Sequence, residues 1–270
     1  MASQADLIQR RRGFFQELLK QYSVAVYREL PDGEPDFSAT GILLRVADRV
    51  VLVSAGHALE EVPPVLIMKN GDVVRLTNPV ATAKQTLPYG DPYTDVASVL
   101  LTPAETQVLD PLEMSFTSVL SPFDSKAPRS HYLALGMRVE DQLVDHAAQI
   151  FEHSVASVAA TEVRRDFYDL CRLDRSRVLL IGASPSRFKG PKGAGGVPSF
   201  KGMSGCPVWR FSLREEYSIE HLPPLVGMLV GRPSHTKKAV TVVRVGLVIE
   251  HLGKRYPFLA PHLPPFARAI

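Results

Sequence analysis

Cysteine and unbalanced charge are both scarce in this 270-residue chain, and each shortage narrows what the protein can be. Two cysteines, Cys171 and Cys206, with no Cys or His beside them at ligand spacing, argue against a zinc site and against a disulfide-built scaffold. The 31 Lys and Arg against 28 Asp and Glu leave a net charge of +3, too small for bulk attraction to nucleic acid or a membrane surface. No stretch reaches the roughly 18 to 20 apolar residues of a membrane span. The first residues, MASQADLIQRRRGFFQELL, lack the continuous apolar run of a secretory signal. The expected setting is cytoplasmic with both thiols reduced, and the chain calls for no metal, cofactor, nucleic acid or membrane.

What the chain does have is a helix followed by many short strands. Leu7, Phe14 and Leu18, flanked by Phe15 and Leu19, fall at helical spacing, which predicts an amphipathic helix over residues 1–22. After it come β-branched runs, SVAVYREL, SATGILLRV, RVVLVSA, VLIMK and DVVRL, broken by turn residues, with Asn70-Gly71 as a hairpin signal. DVASVLL, HYLALG, RVLLIG, CPVWRF, PLVGMLV and AVTVVRVGL continue the pattern. About a dozen short strands, with 22 prolines and 18 glycines as punctuation, predict an all-β fold of paired barrels or sandwiches rather than a parallel α/β sheet. The boundary is expected in the Pro/Ser/Thr-rich stretch from Thr102 to Ser130, giving β units over 23–115 and 116–252 and a Pro-rich tail over 253–270.

Three residues at strand edges carry possible chemistry. In FKGMSGCPVW, Gly202 and Gly205 let the backbone turn tightly around Ser204 and expose its hydroxyl. A serine is a weak nucleophile unless a base takes its proton and a third group orients that base. Of the eight histidines, His57 stands out: the apolar run RVVLVSA delivers it to a turn at Ser54-Ala55-Gly56. In PYTDVASVLL, Asp95 stands at the mouth of another apolar strand, where a carboxylate needs a donor. Each residue taken alone reads equally as a turn or cap residue; the three in the order His, Asp, Ser are harder to explain that way.

These segments resemble the chymotrypsin-like serine peptidases. SAGHAL is similar to the family's T-A-x-H, TDVASVL to its D-I-A-L-L strand and GMSGCPV to its G-D-S-G-G-P, over roughly residues 23 to 252. HYLALG and GMSGCPVW look closest to intracellular bacterial members. The resemblance implies two packed six-stranded β-barrels, with His57, Asp95 and Ser204 as a catalytic triad in the cleft between them. It implies an oxyanion hole from the amides of Gly202 and Ser204, substrate contacts at Pro198, Val230 and Gly231, and a serine endopeptidase acting on proteins or peptides.

Departures from the family pattern limit what carries over. Pro198 stands where trypsin has the acidic residue that selects Arg and Lys, so that preference is unsupported. Met203 replaces the aspartate that pairs with a newly cut N-terminus, which argues against activation by trimming. Cys206, beside Pro207, is expected to be a packed thiol. The glycine-rich stretch Lys189–Lys201 leads into the serine turn, and a regulatory partner protein docking there is one expected route to an ordered oxyanion hole. The rival reading is a non-catalytic module of the same fold that binds a peptide or partner protein in its cleft.

Overall fold

Continuous apolar runs such as RVVLVS and AVTVVR bury nearly every residue, as strands covered on both faces do, and each is an interior strand of one of two sheets. The computed structural model describes residues 13–59, 64–67, 72–86, 92–109, 114–115, 131–145, 150–183, 188–189, 199–212, 215–218, 220–233, 236 and 238–265.

The first sheet has eight strands: β1 (Val24–Glu29), β2 (Pro35–Val46), β3 (Arg49–Ser54), β4 (Pro64–Ile67), β5 (Val73–Arg75), β6 (Ala81–Thr86), β7 (Pro92–Leu100) and β8 (Met114–Ser115). Their order is β5-β4-β1-β2-β3-β7-β6, with β8 parallel to β2 and the other pairs antiparallel. The second has seven: β9 (His131–Asp145), β10 (Ile150–Thr161), β11 (Val178–Gly182), β12 (Phe188–Lys189), β13 (Pro207–Phe211), β14 (Leu225–Gly231) and β15 (Ala239–Arg244). They run β11-β15-β14-β13-β9-β10-β12, antiparallel throughout. The all-β reading holds, and the short pieces β5, β8 and β12 bring the sheets to eight and seven strands. β4 and β5 pair across the expected hairpin, while Asn70-Gly71 itself lies outside the described residues.

Helical segments pack against the sheets near both ends of the described chain. Residues 13–19 are helical, and Phe15 and Leu19 are completely buried, Phe15 packing 4.9 Å from the Phe211 ring and 5.2 Å from Tyr217. Burial of two such side chains contributes about 1.5–3 kcal/mol each, which docks a segment too short to hold helix alone. The run AVTVVRVGL, expected as one strand, is divided: β15 ends at Arg244 and a helix spans Val245–Arg255. Its Leu247, Val248 and Leu252 pack in one core with Trp209, Leu133 and Val53, so tertiary burial overrides the β-propensity of the valines. Beyond it a 3-10 helix over Pro257–His262 buries Leu259 in the same core, although composition suggested a tail.

The helix Val245–Arg255 and its C-cap Tyr256 also tie down the strand that carries Asp95. His251 is buried, its Nε2 lies 2.8 Å from Ser98 Oγ on β7, and Tyr256 Oη lies 3.4 Å from the same hydroxyl. Burial, helped by the charge of Arg255, pushes the His251 pKa down to about 4. Its folded pKa lies below the ordinary value of 6.5, so the unfolded chain binds the proton more readily. The stability it provides is complete above pH 6.5 and is lost as pH falls toward 4. Linkage puts the loss on the order of 3 kcal/mol. Urea unfolding between pH 4 and 7 is expected to show this slope in the wild type and a shallower one in His251→Gln; equal slopes would remove His251 as the cause.

Candidate active site

β3 stays buried to its last residue, Ser54, and the chain then turns into a short helix, Gly56–Leu59, that lifts His57 to the surface of the first sheet. Its side chain is 44% exposed, while that of Asp95, on β7, is 0% exposed. The carboxylate nonetheless has two donors. The His57 backbone N–H donates to Asp95 Oδ1 at 3.0 Å, and the ring Nδ1 is hydrogen-bonded to Oδ2. A Cβ at position 56 would stand 2.5 Å from Asp95 Oδ1, so only glycine allows this approach. On the far side of the imidazole, Nε2 lies 3.0 Å from Ser204 Oγ. With Nδ1–H donating to the carboxylate, Nε2 carries the lone pair that accepts from the serine. Residues 38 and 147 positions away from His57 are thus joined in one hydrogen-bonded line.

The backbone around Ser204 is held as firmly as the side chains. Gly202 and Gly205 adopt φ of +90° and +88°, in the left-handed region that glycine enters freely. At 205 a Cβ would lie 2.0 Å from the Thr40 carbonyl oxygen and 2.2 Å from Ser54 Oγ, leaving no room for any side chain. Each peptide group from 201 to 205 is engaged. The Lys201 carbonyl accepts from the Val139 amide at 3.1 Å, and the Gly202 carbonyl from Thr40 Oγ1 at 2.9 Å. The Met203 carbonyl accepts from Cys206 N at 3.0 Å, and the Ser204 carbonyl from Thr40 N at 3.0 Å. Met203 N donates to Phe200 O and Gly205 N to Leu229 O, at 2.9 and 2.7 Å. In a trans peptide the N–H points opposite to the preceding C=O. The amides of Gly202 and Ser204 therefore face away from Val139 and Cys206, and among the described residues neither has an acceptor. Unengaged N–H groups beside a hydroxyl are able to donate to an oxygen that gains charge. The docking surface expected for a regulatory partner falls on residues 190–198, which lie outside the described residues.

The strand behind the turn is braced as well. Arg138, only 4% exposed, grips Asp141 through Nε and Nη2, the latter at 2.7 Å, and also bonds Glu140, which fixes the stretch that presents Val139 N. Met203 and Cys206 are buried beside Val208 and Leu229, and burial raises the Cys206 thiol pKa far above its ordinary value. Neither is available for chemistry. Val230 places its side chain in the core, so a ligand could meet only its backbone, whereas a Cβ at Gly231, which ends β14, would meet open space. Pro198 and most of Lys189–Lys201 lie outside the described residues. Sequence reading missed Thr40, Ser54, Val139 and Leu229, which build the turn through backbone atoms and buried hydroxyls.

No family model and no curated protein matches the sequence. Solved structures do match in shape. One is neuropsin, a serine protease expressed in the limbic system of mouse brain: 12% identity, TM-score 0.51, with 88% of this chain and 95% of that one covered. The fold is that of the chymotrypsin-like serine proteases. A second neighbour with this fold is the scabies mite inactivated protease paralogue S-D1, at 13% identity and TM-score 0.51, covering 91% and 95% of the two chains. At these identities the chymotrypsin-like likeness is one of architecture, and the second neighbour is named as an inactivated protein. Any activity has to be argued from the side chains of this chain.

Proposed function

We propose that the chain is a serine endopeptidase that cleaves protein or peptide substrates through an acyl-enzyme. The observation that carries the reading is the line Asp95–His57–Ser204 ending beside two amides without acceptors. Ser204 Oγ attacks the scissile carbonyl carbon while His57 Nε2 takes the hydroxyl proton, and Asp95 stabilises the imidazolium that forms. The carbonyl oxygen gains charge and is met by the amides of Gly202 and Ser204. His57 then gives its proton to the leaving amine, the C–N bond breaks, and the acyl group stays on Ser204. Water, deprotonated by the same Nε2, attacks the ester and restores the hydroxyl. The buried free thiols Cys171 and Cys206 fit the cytoplasmic setting that belongs to this reading.

The non-catalytic alternative uses the same cleft only to bind. Treating the purified chain with a fluorophosphonate and mapping the adduct by mass spectrometry separates the two. Stoichiometric labelling of Ser204 is expected, because the probe needs both an activated hydroxyl and an oxyanion cradle. A folded protein that stays unlabelled would leave binding as the function.

A further inference from the structure

The hydroxyl of Thr40 stands apart from the proposed triad, yet it bridges the serine turn and the second sheet. Thr40 lies on β2 of the first sheet and is completely buried. Its Oγ1 donates to the Gly202 carbonyl at 2.9 Å and accepts from Met137 N, on β9 of the second sheet, at 2.9 Å. Its own amide donates to the Ser204 carbonyl at 3.0 Å, and its carbonyl accepts from Ser54 Oγ at 2.7 Å. One residue of the first sheet thus meets the serine turn on both sides of Met203 and joins it to β9 two residues before Val139, the donor to Lys201. Both the donor and the acceptor capacity of the hydroxyl are used, within a layer that excludes water.

We propose that Thr40 is a positioning residue for the oxyanion cradle. Its hydroxyl sets the tilt of the 202–203 peptide, and through the shared Gly202 Cα it sets the direction of the Gly202 N–H. The proposal rests on the serine-peptidase reading for its catalytic consequence but not for its structural one. Replacing the hydroxyl with a methyl group of similar size leaves the Gly202 carbonyl without its donor and Met137 N without its acceptor. Buried polar groups in that position are driven to find other partners, and here the peptide after Gly202, which lacks the restraint of a Cβ, is the part that yields once its donor is gone. His57 and Asp95 touch neither group, so the base is unaffected.

The test compares Thr40→Val, which keeps the shape, with Thr40→Ser, which keeps the hydroxyl, both in the full chain. With fluorescent casein, Thr40→Val is expected to lower kcat on the order of 10²-fold, the cost of a lost oxyanion donor, with KM within about threefold. Fluorophosphonate labelling of Ser204 slows in parallel, and Thr40→Ser restores both. If Thr40→Val does not fold, Thr40→Ala takes its place against the same serine variant. A folded hydroxyl-free variant at wild-type kcat, or a serine variant as slow as the valine one, overturns the proposal. Should the wild type not label at all, the peptidase reading alone fails. The positioning claim is then decided by the amide NMR resonances of Gly202 and Ser204, which shift in Thr40→Val and return in Thr40→Ser if it holds, and stay in place in both if it does not.

Discussion

Ser204→Ala is expected to lower casein hydrolysis by about 10⁶-fold, with no adduct formed by a fluorophosphonate. The reason is that the substitution removes the hydroxyl proposed to form the acyl bond while disturbing little else. Among the described residues the Ser204 side chain makes a single hydrogen bond, to His57 Nε2, whereas the backbone of the turn is held by Thr40, Leu229 and their neighbours, none of which touches Oγ. Unfolding free energy is therefore expected to stay within about 0.5 kcal/mol of the wild type, as for surface changes away from special contacts. Steady-state kinetics beside urea unfolding checks both halves. A variant that cleaves at more than a tenth of the wild-type rate would show that the hydrolysis comes from elsewhere in the protein.

Asp95→Asn is expected to lower kcat by about 10⁴-fold. Asp95 is fully buried and accepts twice, from the backbone N–H and the ring Nδ1 of His57. An asparagine in the same place offers one oxygen and one NH₂. If the oxygen keeps the backbone bond, the NH₂ faces Nδ1 and forces the ring to present a lone pair there. The proton then resides on Nε2, which can no longer accept from Ser204. Nitrogen NMR of the imidazole reads the tautomer directly, and should show Nε2 protonated in the variant. Activity within tenfold of wild type, with the tautomer unchanged, would mean that the carboxylate serves only to fill its site.

His57 and Ser204 were legible because each stands where a buried strand meets a glycine-bounded turn, visible in the letters RVVLVSAGH and KGMSGCPVW; Asp95 was legible as a carboxylate ahead of the apolar run VASVLL, although it lies inside β7 and not at its mouth. What surrounds them was not. Thr40 is an ordinary β-branched residue within SATGILLRV, and nothing in that run separates a hydroxyl that packs from one that bridges two sheets. Val139, Leu229 and Cys206 act through main-chain atoms, which every residue possesses. β10 escaped notice because IFEHSVASVAAT alternates small residues, whose Ala and Ser give little contrast between faces. The helix Val245–Arg255 begins after Arg244, with no side-chain cap and a valine in its first turn, so no local signal announces the switch from strand. Its cause is tertiary, the core that Leu247 and Leu252 complete.

The clamps on the serine turn come from opposite ends of the chain: Thr40 supplies two of them, and Leu229, near the end of the second sheet, receives the Gly205 amide. Synthesis at about 5–20 residues per second separates the emergence of these two residues by roughly 10 to 40 seconds. During that interval a growing chain carries His57 and Asp95, and then the serine itself, without the strand that closes the turn. Long-range closure of this kind is slow and arrives late in folding. On a ribosome, such a chain would pass its own unfolded segments, and those of neighbouring nascent proteins, before its turn could close around the serine.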